Sequence, residues 1–145
     1  MDIVFHVLVG VIFIGFYWDV LIGSVLPDTL YFIAGAVYGL DRDKARNSKI
    51  FAWGERFHSI LIIPLLLLIT APITKNGPLF RMLLAGTLHI ITDIITHSKK
   101  GPRFLWPIKD TYWPRGLAQW EEIKTFIVAY TILAIVYLFM RVILK

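Results

Sequence analysis

The chain contains no cysteine. Disulfides, iron–sulfur clusters and every thiolate zinc motif are therefore excluded, and any metal must be held by nitrogen and oxygen ligands. Charge is also scarce. Asp, Glu, Lys and Arg make up 17% of the 145 residues, against about 25% in an ordinary soluble domain. The charges are clumped, and long stretches carry almost none. The sequence lacks His-Glu-x-x-His, a Gly-x-Ser-x-Gly elbow, a Walker loop and Gly-x-Gly-x-x-Gly, which removes the commonest protease, esterase and nucleotide-binding chemistries. Ser24, Ser48, Ser59 and Ser98 form no recognisable triad. Repeats and low-complexity tracts are absent. Met1-Asp2 has no positive n-region and no small-residue cleavage site follows the first apolar run, so that run is expected to stay as a membrane helix.

What the chain does have is apolar surface. Hydrophobic residues make up 57% of it and mean hydropathy is +0.69. The pattern predicts an all-α fold: an integral membrane bundle of about five helices forming a single transmembrane domain over residues 1–145. An apolar run at 3–16, holding His6, is short of the ~20 residues that span a bilayer. A second run at 20–40 is interrupted by Pro27-Asp28. Together they read as a helical hairpin turning near Tyr17, with a Pro-Asp kink and with Asp19 as a helix cap. Ten residues down from His6 and about ten back up to Asp28 return the chain to similar depth. Residues 41–56 are polar and read as a partly helical loop. Residues 57–73 and 79–96 are apolar, joined by Lys75-Asn76-Gly77-Pro78, a turn sequence. An irregular stretch at 97–122 precedes a last apolar span at 123–144.

The net charge of +5 reads as membrane orientation rather than nucleic-acid binding, because the basic residues lie between apolar helices and form no basic face. With five crossings, Arg42, Lys44, Arg46, Lys49, Arg56, Lys99, Lys100, Arg103, Lys109, Arg115 and Lys124 share a side with the N-terminus. Lys75, Arg81, Arg141 and Lys145 take the other. The excess places the N-terminus in the cytoplasm. Trp53, Trp106, Trp113 and Trp120 fall on the same side, as an interfacial aromatic belt does.

The chemistry concentrates in His89-x-x-x-Asp93-x-x-x-His97. On a helix each step of four advances about 40° around the axis and about 6 Å along it, so the three side chains form one stripe. An imidazole and a carboxylate at this spacing can chelate a divalent cation. Ionisable groups at membrane depth cost about 2.5–3.5 kcal/mol each on insertion scales and normally face the bundle interior. In the hairpin arrangement His6, Asp28, His58, His89, Asp93 and His97 all lie toward the positively flanked side. Six nitrogen and oxygen ligands suit a dinuclear site, with Asp93 or Asp28 as the bridge. The competing reading of the stripe is a polar seam that packs helix on helix through His–Asp hydrogen bonds.

Gly23-Ser24-Val25-Leu26-Pro27-Asp28, Phe57-His58-Ser59, the run from Leu88-His89 through Asp93 to His97, and Phe104-Leu105-Trp106-Pro107 resemble, in order and spacing, the inner-membrane family of membrane-bound metal-dependent hydrolases. Phe5-His6 resembles its N-terminal Thr-His element. The family is itself similar to zinc-dependent phospholipase C, an all-helical fold in which His and Asp residues hold zinc ions that activate water against a phosphoester. The resemblance implies metal-ligand roles for His6, Asp28, His58, His89, Asp93 and His97, one or two zinc ions, and a bacterial or archaeal inner membrane. The chain departs from the family pattern at Leu30, where a second acid is usual, and over Trp53-Gly54-Glu55-Arg56-Phe57-His58-Ser59, where only His58-Ser59 is kept.

The expected function is metal-dependent hydrolysis of a lipid phosphoester near the cytoplasmic headgroup level. Asp28 or Asp93 would act as general base, and Lys99, Lys100 and Arg103 would bind phosphate. The expected partner is membrane lipid, with a homo-oligomer or a larger membrane complex left open. The alternative is a small non-enzymatic membrane subunit whose His/Asp stripe serves as a metal or proton path or as a structural metal site.

Overall fold

The computed structural model of the protein describes residues 3–39, 41–75, 77–97, 102–111, 116, 118–119 and 122–143. Among these residues the regular structure is helical, with one isolated bridge between His97 and Gln119. In chain order the helices are α1 (Ile3–Ile14), α2 (Trp18–Val25), α3 (Thr29–Tyr38), α4 (Arg42–Arg46), α5 (Lys49–Phe57), α6 (Ile63–Thr74), α7 (Pro78–Thr96) and α8 (Ile123–Ile143). A 3-10 turn, Leu26–Asp28, joins α2 to α3. Pro27 explains it: without an N–H it cannot continue the α-helical ladder, and the chain tightens locally rather than breaking.

Three helical stretches are long and apolar enough to cross a membrane: Trp18–Tyr38, Pro78–Thr96 and Ile123–Ile143. The 12-residue helices α1 and α6 are shorter, each about 18 Å against a hydrocarbon core of about 30 Å. The apolar run at 57–73 is not one helix. Phe57 ends α5, and α6 starts only at Ile63. Pro64 sits in the first turn of α6, where its missing N–H costs nothing. Ser59 ties the intervening turn to the segment after α7: its hydroxyl meets Phe104 O at 3.1 Å and also Trp106 O, while Leu61 N–H donates to Ser59 Oγ. Ile60 N–H donates to Phe104 O at 2.9 Å.

The polar stretch at 41–56, read as a partly helical loop, is helical over most of its length, in the two short helices α4 and α5. Asp41 caps α4 by accepting from Lys44 N–H, and Ser48 caps α5 by accepting from Phe51 N–H. Asp19 does not cap α2. It lies within the first turn, and Tyr17 holds the cap position. Asp19 instead pairs with Arg81 of α7, at 2.7 Å to Nε and 3.2 Å to a terminal nitrogen, while that guanidinium lies 4.3 Å from the centre of the Tyr17 ring.

Burial concentrates at the helix interfaces and at the segments packed against them, around His58-Ser59 and Phe104. Phe5, Val9 and Leu133 form one apolar cluster between α1 and α8, and Ile63, Leu83, Ile90 and Phe104 form another. Outward positions remain apolar: Phe13, Leu68, Ile73, Ile127, Ile135, Leu138 and Phe139 are all exposed. A water-soluble fold does not leave its helices coated in this way, whereas hydrocarbon is the natural solvent for such surfaces.

The tightest contact sets the register of the centre. A Cβ on Gly23 of α2 would lie 2.1 Å from Met82 O of α7, and one on Gly86 would lie 3.3 Å from Gly23 O. The two backbones approach this closely because both helices carry glycine at the crossing. Three residues beyond Gly86 is His89, and five beyond Gly23 is Asp28.

Candidate metal centre

The centre is assembled from α1, the 3-10 turn, the end of α5 and α7. His6 projects from α1, Asp28 from the 3-10 turn, and His89 and Asp93 from successive turns of α7. His58 follows α5 directly; its N–H and its Nδ1 both turn back to Gly54 O. Tyr31 of α3 stacks on the His58 ring at 5.0 Å. A Cβ at Gly54 would come within 2.7 Å of that tyrosine ring, so glycine is what lets Tyr31, Gly54 and His58 meet.

Asp93 is the hub. Its Oδ1 lies 3.2 Å from His6 Nε2, and its Oδ2 lies 3.3 Å from His89 Nε2 and 3.5 Å from His58 Nε2. Asp28 Oδ1 lies 3.1 Å from His58 Nε2 and 3.7 Å from His89 Nε2. The His6 and His89 rings stack at 3.6 Å. The side chains of His6, His58 and His89 are fully enclosed, Asp93 retains 4% exposure, and Asp28 retains 17%. The centre is therefore largely enclosed, and Asp28 is its most open member.

The tautomers are set by the other ring nitrogens. His58 Nδ1 lies 2.8 Å from Gly54 O, His89 Nδ1 2.6 Å from Ser24 O, and His97 Nδ1 2.9 Å from Asp93 O. A backbone carbonyl can only accept, so each Nδ1 carries the proton and each neutral ring keeps its lone pair on Nε2. At His58 and His89 that lone pair faces carboxylate oxygens. If the rings are neutral, lone pair against carboxylate is repulsive unless a cation lies between them, and the buried Asp93 carboxylate with the partly buried Asp28 then carries negative charge that burial makes costly.

A divalent ion fits these conditions. Two overlapping triplets, His6–His89–Asp93 and Asp28–His58–His89, each offer three ligand atoms within 4.8 Å of one another. A tetrahedral ion with bonds of ~2.1 Å separates its ligand atoms by about 3.4 Å, close to the nitrogen–oxygen spacings above. His6 Nε2 and His89 Nε2 are buried with no hydrogen-bond partner among the described residues. The arrangement could hold a metal ion, and His89, common to both triplets, lies at the junction.

Five of the six residues singled out from the sequence thus meet: His6, Asp28, His58, His89 and Asp93. His97 belongs to neither triplet. It sits at the C-cap of α7, 3.7 Å from Asp93 Oδ1, with 13% side-chain exposure. Lys99 and Lys100 lie outside the described residues. Arg103 is engaged by carboxylates, with Nε 3.3 Å from Glu55 and a terminal nitrogen on Asp110. Arg56 also reaches Asp110, at 3.4 Å. These guanidiniums, Arg103 foremost, hold the Asp110 carboxyl below the usual carboxylate range. Sequence reasoning missed Gly54 O, Ser24 O and Thr92, the groups that orient the rings. Backbone carbonyls leave no mark on a sequence, and the only signal for Thr92 is its spacing of three from His89.

Comparison of the chain with protein-family models, with curated proteins and with solved structures returned no match.

Proposed function

We propose that this protein is an integral-membrane metalloprotein whose five helical segments form a bundle, α1 and the Trp18–Tyr38 stretch making a hairpin, with the N-terminus on the cytoplasmic side. The observation that carries the reading is the set of histidines whose Nδ1 protons are spent on oxygens and whose Nε2 atoms converge on Asp28 and Asp93. His6, His58, His89, Asp28 and Asp93 would hold one or two divalent ions, with zinc the best match to an all-imidazole and carboxylate set. His97 would complete the coordination by a ring rotation.

The function that best suits such a centre is hydrolysis of a membrane-embedded phosphoester. A bound divalent ion would supply Lewis acidity and make hydroxide available near neutral pH. Asp28, the more open of the two carboxylates, would take a proton from water, and Asp93 would hold the imidazoles together. Arg103 would contribute phosphate binding only by exchanging its carboxylate partners. The sequence resemblance to membrane-bound metal-dependent hydrolases supports the same reading.

The enclosure of the centre favours a second reading, a non-enzymatic membrane subunit with a structural metal or an ion path. Hydrolysis needs a coordination position reachable from the headgroup region, and among the described residues of the cluster Asp28 and His97 keep the most side-chain exposure. Zinc-loaded protein in mixed micelles with short-chain phosphodiester and phosphomonoester lipids separates the two. Phosphate or headgroup release that Asp28→Asn abolishes supports the hydrolase. Stoichiometric zinc with no release from any of these lipids supports the subunit.

A further inference from the structure

We propose that Thr92 is the positioning residue for His6, fixing the imidazole proton on Nδ1 so that the bare Nε2 faces the ion. The proposal rests on the metal-centre reading above. Thr92 Oγ1 lies 2.8 Å from His89 O and 2.9 Å from His6 Nδ1. A hydroxyl has one proton to give and lone pairs to receive with. His89 O can only accept, so the proton goes there and the lone pair turns to His6. Thr87 and Thr96 of the same helix behave alike, donating to Leu83 O and Thr92 O at 2.8 Å each.

His6 differs in this from the other three histidines. Their Nδ1 atoms meet carbonyls, which leave no choice of tautomer. His6 meets a group that can work either way, and what decides is the bond from that hydroxyl to the backbone of a second ligand. Were the hydroxyl to donate to His6 instead, the imidazole proton would move to Nε2. It would then point at Asp93 Oδ1, 3.2 Å away, and the pair would become a plain hydrogen bond between helices. The direction of one hydroxyl therefore separates a ligand from a packing contact. Thr92 also ties α1 to α7 at the height where the His6 and His89 rings stack.

The test uses full-length protein in detergent with nitrogen-labelled histidine. In chelator, two-bond proton–nitrogen NMR correlations of the imidazoles report each tautomer, with His6 assigned by its loss in His6→Gln. The wild type is expected to show His6 protonated on Nδ1. Thr92→Val, of the same shape but without the hydroxyl, is expected to lose that preference and to bind zinc about 10–100-fold more weakly, the usual cost of losing a group that orients a ligand. Thr92→Ser is expected to restore both, with His58, His89 and His97 unchanged throughout. A wild-type His6 protonated on Nε2, or Thr92→Val with wild-type zinc affinity, overturns the proposal. If the wild type takes up no zinc, the metal-centre reading fails, and the tautomer of His6 in wild type and Thr92→Val alone decides the role of Thr92.

Discussion

Replacing Asp93 by asparagine should change the sign of its effect with the metal. In the metal-free protein Asp93 is a buried carboxylate facing three Nε2 atoms at 3.2, 3.3 and 3.5 Å. If those rings are neutral, the carboxylate is an uncompensated buried charge costing several kcal/mol. Asparagine has nearly the same shape and no charge, so Asp93→Asn in chelator should be as stable as the wild type or more so. With zinc the order reverses. Free ligand at a thousandfold excess over Kd stabilises a folded protein by about 4 kcal/mol, and at about 2–4 °C per kcal/mol for a chain of this size that raises the wild-type unfolding temperature by roughly 10 °C. Asp93→Asn removes the oxygen common to most of these contacts and should gain almost nothing from zinc. The assay is thermal unfolding by intrinsic tryptophan fluorescence in detergent, with chelator and with zinc. A variant equally destabilised by about 3–5 kcal/mol in both conditions would refute the reasoning, since that is the cost of breaking a buried ion pair and would mean that protons on the histidines balance Asp93.

Gly23→Ala places a methyl group 2.1 Å from Met82 O, where ordinary contact begins near 3.4 Å. The crossing of α2 and α7 must then open by about 1 Å, at a cost of about 1–3 kcal/mol for overpacking, and zinc affinity should fall as Asp28 moves away from His89; unchanged stability and affinity would count against the close crossing. Ser59→Ala leaves Phe104 O and Trp106 O without that hydroxyl in a buried turn, an expected loss of about 1–3 kcal/mol in denaturant unfolding, which Ser59→Thr should not reproduce in full. Asp110 carries the pH dependence outside the membrane: with its carboxyl depressed by Arg103 and then Arg56, its contribution is present above the unfolded carboxyl value near ~4 and is lost as pH falls through the lower folded value. Unfolding midpoints between about pH 5 and pH 2 should drop less steeply in Asp110→Asn, and identical slopes would show that the pairing does not persist in solution.

The parts of the centre legible in the sequence are those governed by local periodicity. His89 and Asp93 share a face because four residues make slightly more than one helical turn. His6 and Asp28 could be placed at one depth because apolar runs report length along a helix. The run at 57–73 misled for the same reason: apolarity is uniform across it, and only the contacts of Ser59 and Ile60 with Phe104 mark 58–62 as a turn. Those contacts span more than forty residues of sequence. Asp19 resembled a cap because its partner Arg81 lies 62 residues away. His97 has the right spacing for the stripe, but it falls at the last residue of the helical register, where its ring folds back onto Asp93 O. The tautomers were not legible at all, because they depend on Gly54 O, Ser24 O and one hydroxyl proton.

Metal content of detergent-purified protein by mass spectrometry, wild type beside His89→Ala/Asp93→Ala, tests the central claim most directly. The double substitution removes the residue shared by both triplets and the carboxylate that binds them together. One or two equivalents of zinc in the wild type, lost from a double variant that keeps its helix content, is the predicted result. Folded wild-type protein, prepared without chelator and carrying no metal, would contradict the account and leave the His/Asp cluster as a polar seam between helices.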